Sequence, residues 1–273
     1  MKREQLCFST LGCVEKTAEE VTSLAVHYGI GSLEVRGLAG ELDTGKIAAF
    51  SEENAAATLA LWRQNGVTPR VLGTSCAFHD AGKLEMSLKE GREALVVARR
   101  MGFGAIRVFG NKLCRGETLE MTAERVSRGI LALCDVAVGT GVRVLLEVHG
   151  DFNRRETIFP VLDRCGRHAS FGLIWDVAHS DRAYGADWQP FYRDIRPFIR
   201  HVHLKDHVRT SDGTPRLVLP GEGDIPLSDI LAALERDGFT GGYSLEWEAK
   251  WHPELPPLSA ALERYCAIVA PYL

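Results

Sequence analysis

Nowhere in this chain do roughly 18 apolar residues follow one another, so the sequence offers no membrane-spanning helix. The first residues, Met1-Lys-Arg-Glu-Gln, provide no apolar targeting core. Basic charge is short as well. Lys and Arg number 32 against 36 Asp and Glu, for a net charge of -4, the reverse of what a broad nucleic-acid-binding surface needs. Cysteine is sparse: seven residues, at 7, 13, 76, 114, 134, 165 and 266, an odd number with no Cys-x-x-Cys. Most stand in apolar runs, which reads as reduced and partly buried thiols rather than a disulfide framework. Low-complexity linkers and internal repeats are also missing. The expectation is a soluble cytoplasmic protein with neither nucleic acid nor membrane as partner.

What is present is an ordinary globular composition, 45% hydrophobic and 25% charged, with ample material for a core. Apolar strand-like runs end near Ser9, Arg36, Thr74, Phe109, Glu147, Asp176, Leu204 and Trp247. Amphipathic segments alternate with them. Thr17-Ala-Glu-Glu20 is a capping box opening a helix that Gly29 stops, and Ser51 is positioned to cap the next, which Gly66 ends. The third helix runs to Met101 before Gly102. The fourth, from Leu119 to Val138, places Leu119, Ala123, Val126, Ile130, Leu133 and Ala137 on one side. Further helices are expected over 158–165, 190–198, 227–235 and 258–269. Eight strand–helix units without a dividing linker predict one domain over residues 1–273, a (β/α)8 TIM barrel.

In such a barrel the strand C-termini form the active face. Four of the strand-like runs bring an acid or an imidazole to that end. Glu147 closes Val142-Arg-Val-Leu-Leu-Glu147, and Asp176 closes Phe171-Gly-Leu-Ile-Trp-Asp176. His203 lies in Arg200-His-Val-His-Leu-Lys205, and Glu246 follows Tyr243-Ser-Leu. Charged groups are rarely buried unless paired or ligating, so the four read as ligands of one divalent cation. Oxygen and imidazole donors suit Mn2+, Mg2+, Co2+, Fe2+ or Zn2+, and Mn2+ is favoured here. Three acids and one histidine leave coordination positions for substrate oxygens.

At these residues the chain resembles the xylose isomerase-like TIM barrel superfamily, in its sugar phosphate isomerase/epimerase branch. The resemblance spans nearly the whole chain. Leu145-Leu-Glu-Val-His149, Trp175-Asp-Val-Ala-His179, His201-Val-His-Leu-Lys-Asp206, Gly221-Glu-Gly-Asp-Ile-Pro226 and Ser244-Leu-Glu246 carry it. It implies that Glu147, Asp176, His203 and Glu246 hold one divalent metal. From the ketose 3-epimerases it further implies that Glu147 and Glu246 flank the reacting carbon, one removing a proton and the other returning it through an enediolate. Arg209 matches the spacing of a substrate-contacting arginine in those enzymes. Asn153 departs from them, standing where they carry another glutamate. The implied activity is isomerisation or epimerisation of a small polyhydroxy carbonyl compound. The alternative is a lyase of the inosose or dehydroshikimate dehydratase type. A multi-metal endonuclease site lacks its further ligands, since Arg216 and Val218 occupy those positions.

Substrate contacts are expected from His149, His179, Lys205 and Arg209. His149 alternates with Glu147 and shares its strand face, and His179 follows Asp176 by three residues. Glu34 and Arg36 are expected to pair with each other, and Arg107 to form a similar structural pair. His27, His79, His201 and His207 read as structural. Gly221-Glu-Gly-Asp-Ile-Pro226 lacks the Gly-Lys of a phosphate loop and reads as a tight turn, with Asp224 capping the next helix and Pro226 in its first turn. Trp175, Phe78, Trp247 and Trp251 are candidates for a sugar-stacking wall. The expected partner is a small polyhydroxy molecule, and homo-oligomerisation is left open.

Overall fold

A computed structural model describes residues 1–211 and 213–273. Eight parallel strands close into a barrel: β1 (Leu6–Ser9), β2 (Ser32–Val35), β3 (Thr68–Ala77), β4 (Ala105–Phe109), β5 (Arg143–Glu147), β6 (Phe171–Asp176), β7 (Ile199–Leu204) and β10 (Gly242–Leu245). Each pairs with its neighbour in sequence, and β1 closes the ring on β10. An antiparallel hairpin, β8 (Asp206–Val208) with β9 (Arg216–Val218), is inserted after β7 at the strand C-terminal end. The sequence had not announced it. Among the described residues no helix is long and apolar enough to cross a membrane.

Helices α1 (Ala18–His27), α2 (Ala55–Gln64), α3 (Leu84–Met101), α4 (Leu119–Ala137) and α5 (Arg155–Cys165) return the chain between the first six strands. Thr17 and Glu20 make the reciprocal capping box at α1. Gly102 takes the left-handed conformation, φ 70°, that ends α3. Ser51 does not cap α2. Its Oγ accepts from Asn54 N in a turn before the helix begins. An unexpected helix, α6 (Val177–Tyr184), comes first, and the helix expected over 190–198 is α7 (Trp188–Ile195), continued by a 3-10 turn over Arg196–Phe198. After the hairpin come α8 (Leu227–Arg236) and α9 (Leu258–Val269). Asp224 does not cap α8. Its carboxylate accepts from Arg209 N, and Pro226 stands at the N-cap position of the helix rather than in its first turn.

The Gly221–Pro226 segment gets its shape from a different acid. Asp206 accepts backbone N–H bonds from His207, Gly221, Gly223 and Ile225. A Cβ on Gly223 would lie 2.2 Å from Asp206 Oδ1, so only glycine lets the backbone wrap the carboxylate. The N–H groups that could cradle a phosphate are therefore spent internally.

Most of the core lies between barrel and helices, where outward-facing residues such as Val144, Leu146 and Leu173 meet Val126, Ile130 and Val161. A second, small cluster plugs the barrel itself: Val71, Ala105, Leu145 and Ile174. Side chains two apart on a strand share a face. The next inward position on each of these four strands is therefore Gly73, Arg107, Glu147 and Asp176. The interior thus changes from apolar to ionisable within one layer, moving toward the strand C-termini.

Candidate metal centre

Glu147, Asp176, His203 and Glu246 are brought together by β5, β6, β7 and the residue after β10. One donor atom from each lies within 4.8 Å of the others, and all four residues are buried. His203 Nδ1 stands 3.3 Å from Glu246 Oε2, 3.7 Å from Glu147 Oε1 and 3.9 Å from Asp176 Oδ2. Donors about 2.1 Å from one ion sit roughly 3 Å apart at right angles, so the four need to close in only slightly. His203 Nδ1 is buried without a hydrogen-bond partner, an arrangement that is costly unless something else binds there. Asp176 Oδ2 and Glu147 Oε2 also lack an aligned hydrogen bond, but each lies beside a buried cation. The donor set fits a divalent cation.

Asp176 and His203 are each oriented by a further contact. Asp176 Oδ1 accepts from Ala178 N and His179 N, capping α6, and so turns Oδ2 inward. Glu34, at the end of β2, lies 3.0 Å from His203 Nε2 and 2.8 Å from His201 Nε2. A proton on Nε2 leaves Nδ1 as the lone-pair donor. Glu34 therefore does not pair with Arg36 as expected. It joins two histidines, and His201 is structural, with burial keeping it neutral.

Cations complete the site. Arg107 Nη1 is 3.3 Å from both Glu147 Oε2 and Glu246 Oε1, bridging the oxygens that face away from His203. Lys205 Nζ bonds Glu246 Oε2 at 2.6 Å and Glu248 Oε1 at 2.5 Å, and stands 2.8 Å from Asp176 Oδ2 out of hydrogen-bond alignment. Lys205 therefore sits among the proposed ligands. Burial would raise the Glu246 carboxyl, but His203, Lys205 and Arg107 outweigh it and hold it well below the usual range. Glu147 is lowered against its burial, chiefly by Arg107. Asp176 is raised by burial against the pull of Lys205, with Glu246 and Glu147 adding to the rise. Burial opposes a charge on His203, yet the surrounding Glu246, Glu34 and Glu147 push its pKa well up.

A cavity of about 280 Å3 opens above this layer. Glu147, His149, Lys205 and Glu246 line it, together with Arg36, Arg107, Phe109, Glu248 and Trp251. The His149 and His179 rings lie 3.9 Å apart, and burial together with His149 keeps His179 well below the ordinary histidine pKa. His179 packs behind His149 and does not itself line the cavity. Arg209 is also away from it. Half-exposed, its guanidinium is bonded to Asp181, which also meets His207 Nε2 at 2.9 Å. Asn153 donates to His179 O.

Three of the four proposed stacking aromatics are structural. Trp175 is buried on the outer face of β6, stacked on Tyr192 with its Nε1 donating to Ser180. Trp247 is buried and donates to Pro256 O, and Phe78 fills the space over Gly129. Trp251 alone of the four reaches the cavity, where Phe109 accompanies it. The sequence reading had no role for Glu248 and left Arg36 and Arg107 as structural pairs. Alternation along β4 was the available signal for Arg107, which shares a face with Ala105 in the plug.

A sequence profile described as xylose isomerase-like TIM barrel matches residues 23–266. No curated protein sequence matches the chain. Among solved structures, the chain is similar to the IOLI protein with a bound zinc atom, at 18% identity and TM-score 0.80, over 98% of this chain and 99% of that one. It is similar to the probable 3-DHS dehydratase AsbF from Bacillus anthracis, at 16% identity and TM-score 0.77, over 95% and 97%. It is likewise similar to the 3-keto-D-glucoside 4-epimerase YcjR from E. coli, at 16% identity and TM-score 0.76, over 98% and 99%. At these identities the likeness is one of fold.

Proposed function

This chain belongs to the xylose isomerase-like TIM barrel family, and on that premise we propose that it is a divalent-metal-dependent isomerase or epimerase of a small polyhydroxy carbonyl compound. The observation that carries the reading is the convergence of Glu147, Asp176, His203 and Glu246 around the buried, unpartnered Nδ1 of His203 beneath an open cavity. A divalent cation held there supplies Lewis-acid polarisation of a substrate carbonyl, which acidifies the neighbouring C–H. The protein's own groups do the rest. Glu147 and Glu246 both line the cavity and share Arg107 Nη1, each with one oxygen toward His203 and one toward the guanidinium. One carboxylate takes the carbon-bound proton at the oxygen facing Arg107, and the other returns a proton to the opposite face of the carbon. Arg107 moderates the basicity of both, so the proton is released again. The apolar plug closes the barrel below the reacting carbon.

Neighbours of this fold include the zinc-containing IOLI protein, an epimerase and a probable dehydratase. One observation favours a lyase as second reading. His149 lines the same cavity beside Glu147, where an imidazole would serve as the acid that assists a departing hydroxyl. The test is turnover of a ketose and cyclitol panel in D2O with Mn2+, Mg2+, Co2+, Fe2+ or Zn2+ supplied. Deuterium at the carbon beside the carbonyl with conserved formula supports the isomerase. A new enone absorbance supports the lyase, and turnover that keeps every carbon-bound hydrogen refutes both proton-transfer schemes.

A further inference from the structure

We propose that Arg36 forms an anion subsite in the mouth cavity, so that the substrate carries a carboxylate or phosphate besides its reacting carbonyl. This rests on reading that cavity as the substrate site.

Arg36 follows β2 directly and is only 7% exposed, yet it lines the cavity beside Ser75, Arg107 and Trp251. Its hydrogen bonds go to neutral acceptors, Nη1 to Leu42 O at 3.2 Å and Nη2 to Ser75 Oγ at 2.7 Å. Among the described residues no carboxylate comes within ion-pair distance of it. The other cations of the cavity differ. Arg107 holds Glu147 and Glu246, and Lys205 holds Asp176, Glu246 and Glu248. Glu90, whose field reaches Arg36, spends its Oε1 on Ser75 N at 2.6 Å.

A buried cation without an anionic partner is unfavourable, and Arg36 has a second cation for a neighbour. Burial and the Arg107 guanidinium pull it down to about 10. The backbone makes room for this crowding. A Cβ on Gly73 would lie 2.8 Å from Arg36 Cδ and 3.4 Å from Arg107 Nη2, so the missing side chain lets both arginines share one wall. The free edge of Arg36 presents a planar fork of donors, which matches two oxygens of a carboxylate or phosphate. A neutral polyol would leave that charge uncompensated. Because Arg107 lies between Arg36 and the two carboxylates, a molecule of a few carbons can reach from the fork to the reacting position.

The experiment uses three probes with one carbon skeleton: D-glycerate, glycerol 3-phosphate and glycerol. Each is titrated calorimetrically into wild type, Arg36→Gln and Arg36→Lys, and Mn2+ affinity is measured separately on each protein by dye competition. Wild type should bind at least one anion about tenfold or more tighter than glycerol, and the preferred anion identifies carboxylate or phosphate. Arg36→Gln should weaken that anion by roughly tenfold to a hundredfold with Mn2+ affinity unchanged. Arg36→Lys, which keeps the charge, should fall between. If Arg36→Gln fails to fold, the wild-type and Arg36→Lys arms still decide. Anions binding wild type no tighter than glycerol, or binding the folded variants as tightly as wild type, overturn the proposal. Arg36-dependent anion binding by a protein that does not bind Mn2+ upholds the subsite and refutes the metal chemistry proposed above.

Discussion

Glu34 is the residue whose replacement tests the organisation of the centre most directly, because it touches the ligand set through His203. In Glu34→Gln the shape of the side chain is kept and the negative charge removed. The carboxylate accepts from two imidazoles, His201 Nε2 at 2.8 Å and His203 Nε2 at 3.0 Å, and all three groups are buried. Both Nε2 atoms face the same oxygen, Oε2, so a glutamine that keeps its carbonyl oxygen there still accepts from both, but without the charge, and it sets an NH2 against His203 Nε2 where Oε1 had stood at 3.1 Å. Removing the charge from both bonds and facing the His203 N–H with an NH2 costs about 1.5–3 kcal/mol, a fall of roughly 3–6 °C in melting temperature for a chain of this size. The same loss frees the His203 ring to change tautomer and present a protonated Nδ1 to the cation. A roughly tenfold to hundredfold weaker metal affinity follows. Mn2+ competition with a chelating dye reads the affinity, and melting in a chelator reads the stability. A folded Glu34→Gln protein with wild-type metal affinity would refute the claim that Glu34 fixes the ligand tautomer.

Asp176→Asn separates capping from ligation. The amide oxygen can still accept from Ala178 N and His179 N, so melting in chelator should change by about 1 kcal/mol or less, while metal content on purification falls sharply; unchanged stoichiometry would remove Asp176 from the ligand set. Asp181 is lowered despite its burial because His207 and Arg209 bond it. Its contribution is therefore present above the ordinary carboxylate pKa of about 3.9 and lost as pH falls through the lower folded value. Asp181→Asn should cost about 1–3 kcal/mol at neutral pH, and urea titrations should show the gap to wild type shrinking below about pH 4. A gap constant with pH would argue against the ion pairing. Trp175→Ala should destabilise by about 3–5 kcal/mol, whereas Trp251→Ala, 53% exposed in wild type, should leave the unfolding midpoint nearly unchanged and alter substrate KM. The reverse pattern would exchange their roles.

The convergence of Glu147, Asp176, His203 and Glu246 was legible in the sequence because each stands at or beside the C-terminal end of an apolar strand, and a closed parallel barrel collects strand ends by construction. The same alternation that made it legible contains the correction for the aromatics. Trp175 precedes Asp176 and Trp247 follows Glu246, so if the acids point inward the tryptophans point out. Helix α6 was hidden because its first residue follows Asp176 directly, and that acid serves as both cap and proposed donor. Partners across the barrel were beyond reach. Glu34 meets histidines 167 and 169 residues away, and Arg107 meets Glu246 at a separation of 139. Sequence spacing carries no signal at such distances. Arg209 shows the opposite hazard: its interval from His203 matches a known pattern, while its side chain is engaged by Asp181.

The apolar plug of Val71, Ala105, Leu145 and Ile174 makes the barrel a blind well. Nothing can leave through its base, so whatever reacts over Glu147 and Glu246 must depart by the opening through which it came. Traffic at that opening is single-file. Product and substrate exclude one another there, and accumulating product should inhibit competitively, an inhibition that saturating substrate relieves.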